Sequence, residues 1–91
     1  MITAEQAKEK TKERLRVIAE EFILNKTGIP MQAAIDNGRF FCKVDFSGVP
    51  NPEATGEEVV KILEKNGYEA EHVFIETHQC NENYILIKWE N

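Results

Sequence analysis

Apolar residues recur every three or four positions at the start of the chain and every second position near its end. Over about residues 3–26 the helical spacing predicts an amphipathic helix, whose stripe is Ala7, Leu15, Ile18 and Phe22. Thr3 and Gln6 have the spacing of a capping box, which marks the start of a helix. Gly28 is the expected end, because glycine readily adopts the left-handed conformation of a helix C-cap.

Shorter elements follow this first helix. A second helix is predicted over about residues 30–37, ending at Asn37-Gly38. A strand over 39–46 and a third helix over about 53–66, ending at Asn66-Gly67, are predicted to follow. Two further strands, 68–77 and 84–89, flank a polar turn. The element order is therefore ααβαββ in a single α+β domain spanning residues 1–91. We expect a three-stranded, mainly antiparallel sheet with the long N-terminal helix and two further helices packed on it, and the most apolar strand, the last, in the middle.

The first helix is long for its domain and differs from it in charge. Its ~23 residues would extend ~35 Å, whereas a domain of this size is ~30 Å across. Residues 1–16 hold five bases and three acids, while the rest of the chain holds six bases and thirteen acids. We expect the first helix to project beyond the body. Its basic side chains Lys12 and Arg16 are candidate contacts for the acidic body of a second copy.

Charge and hydropathy exclude several classes of function. The formal net charge of −5 argues against a nucleic-acid partner, which would call for a basic surface. No apolar run approaches the ~18 residues of a membrane span. The N-terminus turns charged at once and lacks the apolar core of a signal peptide. These features predict a cytoplasmic protein without a membrane partner.

Candidate chemistry is sparse. His78, Cys80, His72 and Cys42 are the imidazole and thiol groups of the chain, and their spacing matches no zinc motif. Cys80 has His78 nearby, as a thiol nucleophile would require, but a turn does not fix their geometry. We therefore expect no catalytic residue, no metal, no cofactor and no enzymatic activity.

The second face of the sheet is the most informative feature. Phe40, Cys42, Val44 and Phe46 alternate with Phe41 along the first strand, so Phe41 should face away from the core together with Tyr84 and Leu86 of the last strand. The second strand in chain order, 68–77, adds either Phe74 or the pair Val73 and Ile75 to this face, and we predict Phe74 as the contact residue. A contiguous apolar surface of this kind would be a contact site. Alternatives are that the third helix covers this face, or that exposed rings stack on nucleotide bases.

The opening Met1-Ile2-Thr3-Ala4-Glu5-Gln6-Ala7, the Asn66-Gly67-Tyr68 helix end and the terminal strand with Trp89 are similar to small uncharacterised proteins of phages and prophages of Gram-positive bacteria. The resemblance implies phage origin and a role as a virion or assembly component, in the bacterial cytoplasm or the virion. It implies no catalytic residues.

These expectations combine into two hypotheses. The first is a non-enzymatic protein-interaction module that self-associates, as a phage structural or assembly component. The second is a small phage-encoded inhibitor that binds a host protein or sequesters a nucleotide-type small molecule.

Overall fold

The computed structural model describes residues 1–77, 79 and 81–90. Two α-helices, α1 (Ala4–Phe22) and α2 (Gly28–Asp36), are joined by a π-helical turn (Ile23–Thr27). Then come β1 (Phe41–Asp45), α3 (Pro52–Lys65), β2 (Glu69–Glu76) and β3 (Asn81–Lys88). The α+β class with a long N-terminal helix and an antiparallel three-stranded sheet is confirmed.

The N-terminal helical region does not break where the sequence predicts. Gly28 has φ −59° and ψ −49°, which is right-handed helical geometry rather than a left-handed cap. The predicted first and second helices are therefore one helical rod from Ala4 to Asp36. Its length is about 50 Å at 1.5 Å per residue, which matches the 53 Å long axis of the molecule.

The π turn keeps the two halves of this rod in phase. α1 packs against α3 and buries Phe22, whereas α2 packs against β1 and buries Ala34. In an uninterrupted α-helix these two side chains would lie about 120° apart around the axis. A π turn accommodates one extra residue, so it removes most of this 120° separation between Phe22 and Ala34. It also lies directly before Pro30, which has no N–H to donate and whose ring needs space in the preceding turn.

The predicted caps elsewhere are confirmed. The Gln6 N–H donates to Thr3 Oγ1 (3.2 Å) and the Thr3 N–H donates to Gln6 Oε1 (3.0 Å). Gly38 and Gly67, at φ +71° and +92°, end α2 and α3. At both ends the N–H two residues beyond the C-cap donates to the carbonyl five residues before it, as from Tyr68 to Leu63 (3.0 Å).

The strand order is β1-β3-β2, and β3 is antiparallel to both neighbours. The central position predicted for the last strand is confirmed. Cys42 is in register with Ile87 and Ala70, and Val44 is in register with Ile85 and His72. These residues therefore share one face of the sheet, which is the face that the helices cover.

The core lies between this face and the helices. Phe46, Val59, Ile85 and Ile87 are completely buried. The Phe46 ring meets that of Phe22 edge to face, with centroids 4.8 Å apart. Phe40, expected on the same face, lies before β1 and is 53% exposed. The core is thus a two-layer contact between one sheet face and the helices.

The start of α1 projects from this body, as expected. Between Ala4 and Arg14 every residue is exposed except Ala7, which is half-buried. The acidic and basic side chains of this segment form no ion pair with one another, and among the described residues the ion pair that forms is Lys61–Glu58, at 3.8 Å. The projecting segment, residues 4–14, is called the overhang below.

Candidate functional site

The sheet face that the helices do not cover, called here the open face, is the candidate site. Its residues lie in rows across the strands because Phe41, Lys88 and Glu69 are in register, then Lys43, Leu86 and Glu71, then Asp45, Tyr84 and Val73. A last row holds Glu82 and Ile75. No helix of the described chain packs on this side, since the helix-facing residues are those of the alternate set.

Apolar side chains cross the open face diagonally. Phe41 on one edge strand is 45% exposed and Ile75 on the other is 43% exposed. Between them Leu86, Tyr84 and Val73 are half-buried. The surface is therefore continuous across all three strands, and three of its members, Phe41, Tyr84 and Leu86, were predicted from the sequence.

The placement of Phe74 on this face is wrong. Phe74 is in register with Asn83, which lies on the helix-facing side, and its ring is 5.9 Å from that of His72. Val73 and Ile75 occupy the open face instead. All three residues are apolar, so the sequence alternation gave no sign of which belonged inside. Glu71 and Glu69, two and four residues before Val73, are polar and share its face, and they carry the signal that indicates the register.

Lys12 and Arg16 lie away from the open face. Both are exposed on α1, which belongs to the helix layer on the other side of the sheet. The six predicted contact residues thus fall into three separate places: the open face, the helix-facing side of β2 and the first helix.

Charges frame the apolar diagonal. Lys43 and Lys88 lie toward β1 and β3, while Glu69 and Glu71 lie along β2. The Lys43 Nζ is 5.1 Å from the centre of the Tyr84 ring, a cation–π distance. The bases of the open face therefore lie on β1 and β3, and its acids are Glu69 and Glu71 on β2 with Asp45 on β1 and Glu82 on β3.

The Asp45 carboxyl lies on this face and accepts two hydrogen bonds from Ser47. Ser47 Oγ and the Ser47 N–H both donate to Asp45 Oδ1, at 2.7 and 3.1 Å. These bonds favour the charged form and lower the pKa of Asp45. The carboxylate therefore stays ionised and fixes the turn after β1.

Cys42 does not have the environment of a nucleophile. Its side chain is buried on the helix-facing side of β1. Burial raises the pKa of the Cys42 thiol, so the thiolate needed for nucleophilic attack is disfavoured.

His72 takes part in a structural network. Asn83 Nδ2 donates to the Phe46 carbonyl (3.3 Å), which leaves Asn83 Oδ1 to accept from His72 Nε2 at 2.7 Å. The imidazole also packs edge to face against Phe46. Within residues 1–77, 79 and 81–90, no three His, Cys, Asp or Glu side chains converge as metal ligands would. The proposed pairing of His78 with Cys80 lies outside the described residues.

No helix among the described residues combines the length and the apolar content that crossing a membrane requires. No protein-family model, no curated protein and no solved structure matches this chain. The geometry of its surfaces is therefore what bears on its function.

Proposed function

We propose that this chain is a non-enzymatic interaction module that self-associates through the open face of its sheet. The observation that carries the proposal is the apolar diagonal from Phe41 to Ile75, which no helix of the described chain covers. An exposed apolar surface of this extent is typical of contact sites.

The Lys43 and Glu71 side chains favour a second copy as the partner of the open face. A two-fold axis along β3 would place β1 of one copy over β2 of the other. Lys43 would then face Glu71 of the second copy twice, and Leu86 would meet its own counterpart on the axis. Lys88 and Glu82 would also meet their counterparts near the two ends of β3, and these like charges keep the contact weak. An isologous contact of this kind pairs one surface patch with itself.

The size of the face predicts a reversible dimer. Eight residues of β3 at ~3.4 Å, across three strands ~4.8 Å apart, give a footprint of about 400 Å² per copy. Two such faces bury less than the ~1,200 Å² at the lower end of standard interfaces. We therefore expect association that depends on concentration, over roughly 1–100 µM.

A charge swap tests this arrangement. Lys43→Glu or Glu71→Lys alone should weaken the dimer, since each puts like charges together twice, and the double variant should restore it. Light scattering across a gel-filtration peak would measure the mass against the 10.5 kDa monomer. A monomer at all concentrations would contradict the proposal.

Two further variants separate the surfaces. Leu86→Asp places charge on the proposed axis and should abolish association. Lys12→Glu together with Arg16→Glu should leave it unchanged. If the Lys12→Glu and Arg16→Glu double variant abolished association and Leu86→Asp did not, the contact would involve the first helix instead of the open face.

We further propose that self-association serves a phage structural or assembly role in the bacterial host. The support is the resemblance of the chain's opening and helix ends to phage and prophage proteins, together with the open face. Mass spectrometry of purified particles and of assembly intermediates would detect the chain. Its absence from both would contradict this role.

A second candidate function is a phage-encoded inhibitor of a host protein. The specific observation in its favour is a groove between α3 and the free edge of β2, apart from the open face. Four carboxylates and a single ammonium line this groove, which disfavours a nucleotide, whose phosphates are negative. A protein segment therefore fits it better than a nucleotide-type ligand.

A further inference from the structure

The outer edge of β2 carries unpaired main-chain groups. The Phe46 N–H donates to the Asn83 carbonyl and the Trp89 N–H to the Phe40 carbonyl, so the odd-numbered residues of β3 direct their main chain toward β1. The even-numbered residues, including Tyr84 and Leu86, then bond to β2 at Val73 and Glu71.

The same alternation fixes which groups are free. Ala70, His72 and Phe74 must direct their N–H and C=O groups away from β3, along the edge of the sheet. No main-chain segment among the described residues pairs with them. An edge of this kind is a template for an added strand.

A groove runs along this edge. It has a volume of about 650 Å³ and lies between α3 and β2. Ala70, His72 and Phe74 line it from the strand, and Val60 lines it from the helix. The residues with free main-chain groups therefore also direct their side chains into the groove. An added strand would bond to the edge and place every second side chain beneath α3.

The charge of the groove selects the added strand. Its acidic residues are Glu53, Glu57 and Glu64 of α3 and Glu71 of β2, which also belongs to the open face, against Lys61 as the one base lining it. The Lys61 ammonium lies beside the Glu58 carboxylate. We propose that the β2 edge and this groove bind an extended segment of a partner protein, with Lys or Arg at alternate positions, as a fourth strand.

A second copy fits this edge poorly. Pairing β2 with β2 of another molecule would bring two acidic grooves together. Glu69, Glu71 and Glu76 of the strand itself would add like charges across the new ladder, and such pairs are destabilising. The site names the partner chemistry of the second candidate function and, apart from Glu71, shares no residue with the open face.

A peptide with alternating chemistry tests the mode of binding. The probe is an acetylated, amidated octapeptide in which Lys alternates with Val and Thr, titrated by fluorescence anisotropy or NMR. N-methylation of one alternate set of residues should abolish binding, and N-methylation of the other set should leave it within about twofold, since only one set faces β2. Equal effects of both sets would overturn strand addition.

Protein variants test the location. Glu53→Gln, Glu57→Gln and Glu64→Gln together should weaken peptide binding by about tenfold, given ~0.2–1 kcal/mol for each exposed pair. The matched control Glu5→Gln, Glu9→Gln and Glu13→Gln removes the same charge from the first helix and should have no such effect. Equal weakening by both triple variants would overturn the site.

A backbone variant completes the test. Ala70→Pro removes an N–H that faces solvent, so it should block the peptide while circular dichroism shows the fold retained. If Ala70→Pro unfolds the chain, the two sets of N-methylated peptides still decide whether the peptide binds as a strand.

Absence of peptide binding at ~1 mM, or loss of the dimer rather than of peptide binding in Ala70→Pro, would overturn the proposal. Failure here with an intact dimer would leave the open-face proposal standing.

Discussion

His72 of β2 packs against Gly56 of α3 so closely that a residue with a Cβ would not fit at position 56. A Cβ placed on Gly56 would lie 2.2 Å from His72 Nδ1. The imidazole has little freedom to move, because Asn83 accepts from its Nε2 and the Phe46 ring lies against it. Gly56 is therefore required by packing, although glycine is unfavourable within a helix.

Two glycine substitutions should act in opposite directions. Gly56→Ala should destabilise the fold by about 1–3 kcal/mol, because the overpacking exceeds the gain in helix propensity. Gly28→Ala should stabilise it by about 0.5–1 kcal/mol, since Gly28 is helical and nothing lies within 4 Å of an added Cβ. Urea unfolding followed by circular dichroism measures both.

The clash itself can be isolated with a third variant. In His72→Ala the added methyl of Gly56→Ala has space, so the double variant should be less destabilised than the sum of the two single ones. Strict additivity would show that His72 is not the group displaced.

Asp45 gives the fold a specific pH response. The unfolded pKa of an aspartate is about 3.9, and the two Ser47 bonds lower the folded pKa below it. This contribution to stability is therefore present above the unfolded pKa and is lost as the pH falls through the folded pKa. Ser47→Ala should raise the pKa of Asp45 toward its ordinary value, as an NMR titration of its carboxyl carbon would show. Ser47→Thr keeps the hydroxyl and should leave the titration unchanged.

Among the elements, the helical rod is the one whose shape depends most on its contacts with other elements. Its π turn lets α1 meet α3 while α2 meets β1. Thr27 is buried within the turn, and its hydroxyl donates to the Ile23 carbonyl rather than to a distant group. The turn thus sets the rotation of α2 relative to α1, and the buried Thr27 hydroxyl has its hydrogen-bond partner within the helix.

Changing the length of this turn should test its phasing role. Insertion of one alanine after Asn25, which is exposed, turns α2 by about 100° relative to α1. Ala34 then leaves β1 or Phe22 leaves α3, and we expect a loss of about 2–4 kcal/mol. Removal of Asn25 leaves an α-helix in which Phe22 and Ala34 stay about 20° apart, so it should cost about 1 kcal/mol or less. Equal urea midpoints for the insertion and the deletion would contradict a phasing role.

The sequence predicted most elements because their signals are local. The capping box at Thr3, the Asn-Gly ends of α2 and α3 and the alternation in β1 and β3 each depend on residues a few positions apart. Gly28 carried a similar local signal, but contacts of α1 with α3 and of α2 with β1 hold it in the helix. The run Val73-Phe74-Ile75 is ambiguous by itself because all three residues are apolar, and the polar Glu69 and Glu71 before it are what indicate its register.

At the scale of the whole molecule, two surfaces are proposed for partners. The open face presents a diagonal of apolar residues among charged ones, and the β2 edge presents main-chain groups without a strand partner in the described chain, beside an acidic groove. The helix layer separates the overhang from the open face. Predicting that Phe41, Tyr84 and Leu86 share a face needed only the alternation of strands. The edge groove depends on how α3 lies over β2, which the sequence did not indicate.

The free edge of β2 also bears on how the protein behaves at high concentration. The apolar trio Val73, Phe74 and Ile75 lies on a strand whose outer hydrogen bonds are open, a combination that promotes amyloid-like stacking. Glu69, Glu71 and Glu76 on the same strand act as gatekeepers by keeping such copies apart. Repulsion between whole molecules adds to this protection, and it vanishes with the net charge near the isoelectric point of about 5.0. Colloidal stability should therefore be poorest in mildly acidic buffers and best at neutral pH and low salt.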